Sequence, residues 1–147
     1  MKLSTKCRYG ARAMVEIARN FELGSSTKRK DITANQGIPA SYLENILIDL
    51  RNQGLVTTVR GPKGGFSLTR RPENITMFDV IKALRGADMA PVECLEEGFE
   101  CDRREQCITR QVWVAMQQAQ DTVLKGINLK TLILSDGSGL DKLEYVI

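Results

Sequence analysis

KRKDITANQGIPASYLENILIDLRNQGLVTTVRGPKGGFSLT, residues 28–69, decides the fold. Residues 28–35 read as a short helix. Gly37 and Pro39 stop it, because glycine accepts left-handed backbone and proline cannot continue a helix. A longer helix follows over about 40–53, with Leu43, Ile46, Leu47 and Leu50 on one stripe, and Gly54 ends it. Leu55-Val56-Thr57-Thr58-Val59-Arg60 is β-branched and strand-like, Gly61-Pro62-Lys63-Gly64-Gly65 is a turn, and Phe66-Ser67-Leu68-Thr69 returns. Short helix, tight turn, longer helix and hairpin are the order of a winged helix-turn-helix.

Outward from this stretch, residues 4–22 read as a helix. Ser4 or Thr5 caps it, and Tyr9, Ala13, Ile17 and Phe21 recur on one face. Thr76-Met77-Phe78-Asp79 resembles a capping box and opens a helix to about Arg85, broken by Gly86. Residues 87–105 are irregular and acidic. A long helix is expected from about 106 to 125, with Val112, Met116, Ala119, Val123 and Gly126 stepping by four, three, four and three. That narrow seam suits packing against another helix. A short apolar helix is expected over 127–134, then a tail from Ser135. The expected fold class is mainly α with a small β-hairpin wing, a winged helix-turn-helix joined to a long dimerisation helix. Its divisions are 1–86 for DNA binding, 87–107 for a cysteine-bearing loop, 108–134 for the dimerisation region and 135–147 for the tail.

At 147 residues, 42% hydrophobic and 27% charged, the chain has the length and composition of one ordinary globular domain. No apolar run approaches the roughly 18 residues a spanning helix needs. Met1–Lys6 has no apolar stretch of the secretory kind, so no membrane association and a cytoplasmic location are expected. There is no histidine, which removes Ser-His and Cys-His catalysis and every His-bearing metal site. Nothing arranges a nucleophile, a base and an oxyanion donor, so an enzyme is not expected. The net charge is +3, but residues 1–72 carry 13 Lys/Arg and 5 Asp/Glu, a net of +8. Residues 73–147 carry 8 and 13, a net of −5. The first half suits a polyanion; the second would avoid one.

In a DNA-binding reading the 40–53 helix enters the major groove. Its stripe packs inward, leaving Ser41, Tyr42, Glu44 and Asn45 outward. Serine and asparagine can bond base edges, and glutamate can accept from cytosine N4. Arg60 and Lys63 sit at the hairpin turn, where an arginine can reach the minor groove. Lys28 and Arg29, beside Lys30, can hold phosphate and set register. The rival readings are a protein-binding winged helix and plain solvated charges.

Cys94, Cys101 and Cys107 lie within fourteen residues, spaced C-x6-C-x5-C. This is neither the CxxC of zinc ribbons nor the spacing of bacterial ferredoxins. Three readings stay open on spacing alone: an iron–sulfur cluster with a foreign fourth ligand, a zinc site, or a thiol switch. The surrounding acidic residues are expected to raise the thiol pKa values, which favours a bound cofactor over a bare switch.

These residues together resemble the IscR/NsrR/RirA/CymR family of bacterial winged-helix regulators. The matching stretches are Met1–Lys6 with Arg8-Tyr9, Gln36–Glu44 at the turn, Val59–Phe66 at the wing, and Cys94, Cys101 and Cys107-Ile108-Thr109 with Trp113. The likeness covers about residues 1–134. It implies a homodimer on double-stranded DNA with a palindromic operator, most commonly as a repressor. It implies base reading at Ser41, Tyr42 and Glu44 and minor-groove entry by Arg60. It also implies a [2Fe–2S] or [4Fe–4S] cluster on Cys94, Cys101 and Cys107 that alters DNA binding. CymR-like members imply an alternative, a cluster-free regulator controlled by thiol oxidation or a partner protein. One departure stands out. IscR-like members carry a histidine three residues after the third cysteine; here it is Arg110, whose guanidinium stays protonated and is a poor ligand. NsrR-like members use a carboxylate near the start of the first helix, from the other subunit. The matching position is Arg8, and beside it lies Cys7, which is therefore expected as a candidate fourth ligand in trans. Other candidates are Glu97, Glu100 and Asp102.

Overall fold

The computed structural model describes residues 3–86 and 89–135. The elements run α1 (Thr5–Glu22), α2 (Arg29–Gln36), α3 (Ala40–Asn52), β1 (Val56–Val59), β2 (Gly65–Leu68), α4 (Met77–Arg85), α5 (Arg110–Gly126) and α6 (Leu129–Leu134). Short 3-10 turns occupy Pro72–Asn74 and Glu93–Leu95. This is the mainly helical chain with one hairpin that the sequence predicts. The tail expected beyond Ser135 lies outside the described residues.

Local chemistry explains most boundaries. Ser4 caps α1 by accepting the Cys7 N–H at 3.2 Å. Gly37 closes α2 with left-handed backbone, φ 59°. At the end of α3, Gly54 donates to the Arg51 carbonyl and Leu55 to the Leu50 carbonyl, both at 2.9 Å, with Gly54 at φ 69°. That double closure satisfies carbonyls a helix end leaves free. Thr76 and Asp79 form the reciprocal capping box at the start of α4.

The hairpin pairs Val56 with Leu68, Thr57 with Ser67, Thr58 with Phe66 and Val59 with Gly65. Its return strand is fastened to the loop before α2: Thr27 and Phe66 exchange two backbone hydrogen bonds, each 2.8 Å. Thr27 is buried, and Asn20 Nδ2 donates to its hydroxyl at 3.0 Å. The wing is thus part of the helical body.

One core joins the elements. Leu43, Ile46, Leu47 and Leu50 of α3 are buried as a set, each covered side chain contributing about 1.5–3 kcal/mol relative to exposure. They meet Met14 and Ile17 of α1, Val56 and Leu68 of the wing, and Val80, Ile81 and Leu84 of α4. Gly10 leaves the space into which Leu84 packs. Leu129 of α6 is fully buried in the same core, and Leu129 N donates to Ile75 O at 2.9 Å, so the chain returns to its N-terminal half after α5.

α5 differs from every other long helix in having no buried residue. It begins at Arg110, four residues later than the sequence reading, because Cys107-Ile108-Thr109 forms a turn and Thr109 stands at the helix entrance. Along the expected seam Val112 is 53% exposed and Val123 37%. Met116, Ala119, Val123 and Leu124 line a shallow apolar hollow. No described helix is long and apolar enough to cross a membrane.

Candidate nucleic-acid interface and cysteine loop

α3 sorts its residues as its periodicity requires. Ser41, Tyr42, Glu44 and Asn45 are exposed, while Leu43, Ile46, Leu47 and Leu50 face the core. The four outward residues therefore occupy one stretch of helix surface. Two neighbours fix parts of that surface. The Tyr42 ring meets Tyr9 edge to face, centroids 5.6 Å apart at 85°, a geometry aromatic pairs favour. Glu44 Oε1 lies 3.3 Å from Arg29 Nη1, bridging α3 to α2. Lower on the helix, Asp49 pairs with Lys6 at 2.6 Å.

A polar clamp that the sequence reading missed holds the turn between α2 and α3. Glu16, nearly buried in α1, accepts from Asn35 Nδ2 at 2.7 Å and Gln36 Nε2 at 3.0 Å. Arg12 donates to Gln36 Oε1 at 3.3 Å and also to the Gln36 carbonyl, while its guanidinium lies 5.7 Å from the Tyr9 ring centroid. α1 therefore grips the last turn of α2 on one side and, through Tyr9, touches Tyr42 on the other.

Lys28 and Arg29 stand exposed at the start of α2. Lys28 has no side-chain cap to make there. Lys63 lines the same open cleft as Lys28, between the end of α1 and the wing. The wing turn itself is tight: Gly64 N donates to Gly61 O at 2.8 Å, and Ser26 Oγ bonds the Lys63 carbonyl. Arg60 and Lys63 project from this anchored turn into solvent. The first two helices and the wing so present cations around α3.

The three loop cysteines are unpaired and half-exposed. Between residues 92 and 112 the backbone bonds are local, as in Leu95 N to Val92 O, Arg104 N to Cys101 O and Arg110 N to Cys107 O. The loop is a chain of turns. Among the described residues no three Cys, Asp or Glu side chains gather into a ready metal cage. As a donor set the loop fits a soft metal centre, because it offers three thiols open to solvent on backbone that few bonds restrain.

One expectation changes, and one candidate ligand lies buried. The Cys107 thiol is pulled below its ordinary pKa, not raised. Its Sγ lies 3.3 Å from the Thr109 hydroxyl, which with the Arg110 backbone N–H stabilises the thiolate; some desolvation opposes them, and the Arg103 charge adds to the lowering. The nearest groups outweigh the loop's acidic composition. Cys7, the candidate fourth ligand from the other subunit, is fully buried within its own chain, in the core that holds Met14 and Ile17. As folded, its thiol has no open approach for a metal. Arg110, at the position where a histidine was missing, is half-buried with Nη1 lacking a hydrogen-bond partner.

With this geometry in view, comparison with known proteins is direct. The family described as Rrf2, iron-dependent transcriptional regulator, matches residues 3–135. The rrf2 protein of Nitratidesulfovibrio vulgaris is 38% identical over 135 residues, covering 90% of this chain and 87% of the relative. The transcriptional regulator CymR of Bacillus subtilis is 37% identical over 132 residues, 90% of this chain and 89% of that one. Its solved structure, described as the global cysteine regulator of that organism, aligns with TM-score 0.73, covering 91% of this chain and 97% of that one at 35% identity. The solved structure of T. potens IscR aligns with TM-score 0.73 at 30% identity, covering 97% and 92%.

Proposed function

This chain belongs to the Rrf2 family of DNA-binding transcriptional regulators, which are not enzymes; from that premise we propose that it works in the cytoplasm as a homodimer whose grip on a palindromic operator is set by the state of Cys94, Cys101 and Cys107. The observation that carries this reading is a juxtaposition. Three unpaired, half-exposed thiols lie on a turn-only loop, and that loop runs directly into a helix that has no buried residue and whose apolar seam stays open among the described residues.

The division of labour follows the sequence boundaries: 1–86 binds DNA, 87–107 senses, and 108–134 contains the dimer helix. Ser41, Tyr42, Glu44 and Asn45 contact base edges, Arg60 and Lys63 explore the minor groove, and Lys28 and Arg29 contact phosphate. Two copies of α5, joined along Val112, Met116, Ala119 and Val123, set the separation of two α3 helices, which must meet half-sites about 34 Å apart. Cys94, Cys101 and Cys107 hold an iron–sulfur cluster, [2Fe–2S] or [4Fe–4S]. Bound there, such a cluster supplies sensitivity to iron, oxygen or nitric oxide. Ligation fixes three points on the loop and removes its backbone freedom, and because the loop enters α5 at Arg110, its order fixes how α5 leaves the DNA-binding body. The fourth position is filled by a loop carboxylate (Glu97, Glu100 or Asp102) or an external ligand, since Cys7 lies in the core. Repression is the expected sense of control.

A second reading is favoured by the depressed Cys107 thiol and by the likeness to a cysteine regulator. In it, no cluster is held, and thiol oxidation or a partner protein orders the loop. Anaerobic purification followed by iron, acid-labile sulfide and visible absorbance separates the two. Near-stoichiometric iron and sulfide in a brown protein supports the cluster. A colourless protein after reconstitution removes it and leaves the thiol switch.

A further inference from the structure

Arg29 and Glu44 face each other across the two helices of the helix-turn-helix, at 3.3 Å, with side chains 51% and 58% exposed. An exposed pair of this kind favours its closed form by no more than roughly fivefold, so it opens readily. Local helix physics explains neither charge. Arg29 opens α2 beside Lys28 and Lys30, at the helix end where the dipole disfavours cations. Glu44 puts a carboxylate among Ser41, Tyr42 and Asn45, on the surface read as facing a polyanion, where phosphate repels it. In the free protein each charge compensates the other. On DNA each has another partner: phosphate for Arg29 and the cytosine N4 amine for Glu44.

We propose that Arg29 is a specificity-determining residue that exchanges its partner according to the base pair opposite Glu44. This rests on α3 being the base-facing helix. Where the duplex presents a cytosine amine, Glu44 turns to it, the ion pair opens, and Arg29 takes a phosphate. Where it presents none, Glu44 stays on Arg29 and that phosphate contact is not made. Base sequence is thereby converted into one phosphate contact more or fewer. The groove that Arg29 and Glu44 line also holds Arg51, about two helix turns away on α3, and Arg51 offers Glu44 no route to the same exchange because it is Arg29 that pairs with Glu44 in the free protein.

The test is the salt dependence of DNA affinity. Duplexes are selected from a random library with the full wild-type chain, and again with Glu44→Ala; the position whose preference the variant relaxes is the one Glu44 reads. Affinity is then measured against salt on the selected duplex and on one changed at that position. The expected result is a log–log slope steeper on the selected duplex by about 0.9 per bound chain, the value of one phosphate contact. The difference disappears in Arg29→Ala and in Glu44→Ala and survives in Arg51→Ala. Equal wild-type slopes, or a difference that survives Arg29→Ala, overturn the exchange while leaving DNA binding intact. A library from which no duplex is recovered overturns both the base-facing reading of α3 and the exchange. All three substituted residues are exposed, so circular dichroism is expected to be unchanged in each variant.

Discussion

Gly65→Ala probes the anchoring of the wing. A Cβ built at Gly65 falls 2.5 Å from the Thr27 carbonyl oxygen and 2.7 Å from its carbon. Both are backbone atoms, so no side-chain rotation relieves the clash. Easing the oxygen contact even to about 3.2 Å, still tight, needs a retreat of about 0.7 Å. The two bonds between Thr27 and Phe66 are 2.8 Å each, and a retreat of that size takes them to the limit of hydrogen bonding. Losing two such bonds costs about 1–3 kcal/mol, and residual crowding adds to it. We expect a loss of about 2–3 kcal/mol. With a urea m-value of about 2 kcal/mol/M, the unfolding midpoint falls by about 1 M at fixed protein concentration. DNA affinity falls as well, because Arg60 and Lys63 lose their fixed position. A midpoint within about 0.2 M of wild type would refute the steric argument and, with it, the claim that the wing is built into the helical body.

Three further outcomes follow from the same geometry. Glu16→Ala strips the acceptor from Asn35 and Gln36; because Asn35 can turn to water, the cost is about 1–2 kcal/mol by urea unfolding, and an unchanged midpoint would remove the clamp from the account. Val123→Glu leaves circular dichroism intact but yields monomer in sedimentation, since the residue is exposed and lies on the α5 seam; a persistent dimer would place the interface elsewhere. Alkylation of Cys107 in cluster-free protein, read by mass spectrometry, rises with pH around a midpoint below that of free cysteine. The lowered pKa keeps thiolate present at lower pH, and a midpoint at or above free cysteine contradicts the Thr109 contact.

The helix-turn-helix was legible because its signals are local. Gly37 and Gly54 adopt positive φ where the sequence reading ends helices, and the Leu43–Leu50 stripe is buried as its spacing requires. The start of α5 was not legible. Residues 106–109 hold no glycine or proline, and the turn at Cys107–Thr109 is set by bonds such as Arg110 N to Cys107 O. The burial of Cys7 has a reason visible in the sequence. Cys7, Gly10, Met14 and Ile17 step by three, four and three, one face of α1, and that face is buried. Glu16 had a weaker signal: it adjoins that face three residues after Ala13, so a carboxylate there needs donors. The Thr27–Phe66 bridge and the Arg29–Glu44 pair join segments that only folding brings together, and no periodicity reports them. The loop cysteines were found by spacing, yet the Thr109 hydroxyl that tunes one of them emerged only from distance.

The central claim is that the state of Cys94, Cys101 and Cys107 governs DNA binding. The most direct test is the affinity of anaerobically prepared, cluster-loaded protein and of its cluster-free form for the same selected duplexes, beside the Cys94→Ala/Cys101→Ala/Cys107→Ala variant. The account predicts that the two wild-type forms differ by about fivefold or more in affinity or in preferred duplex, the usual scale of such coupling, and that the variant matches the cluster-free form under both conditions. Superimposable binding curves for the loaded and cluster-free forms on every duplex would contradict it.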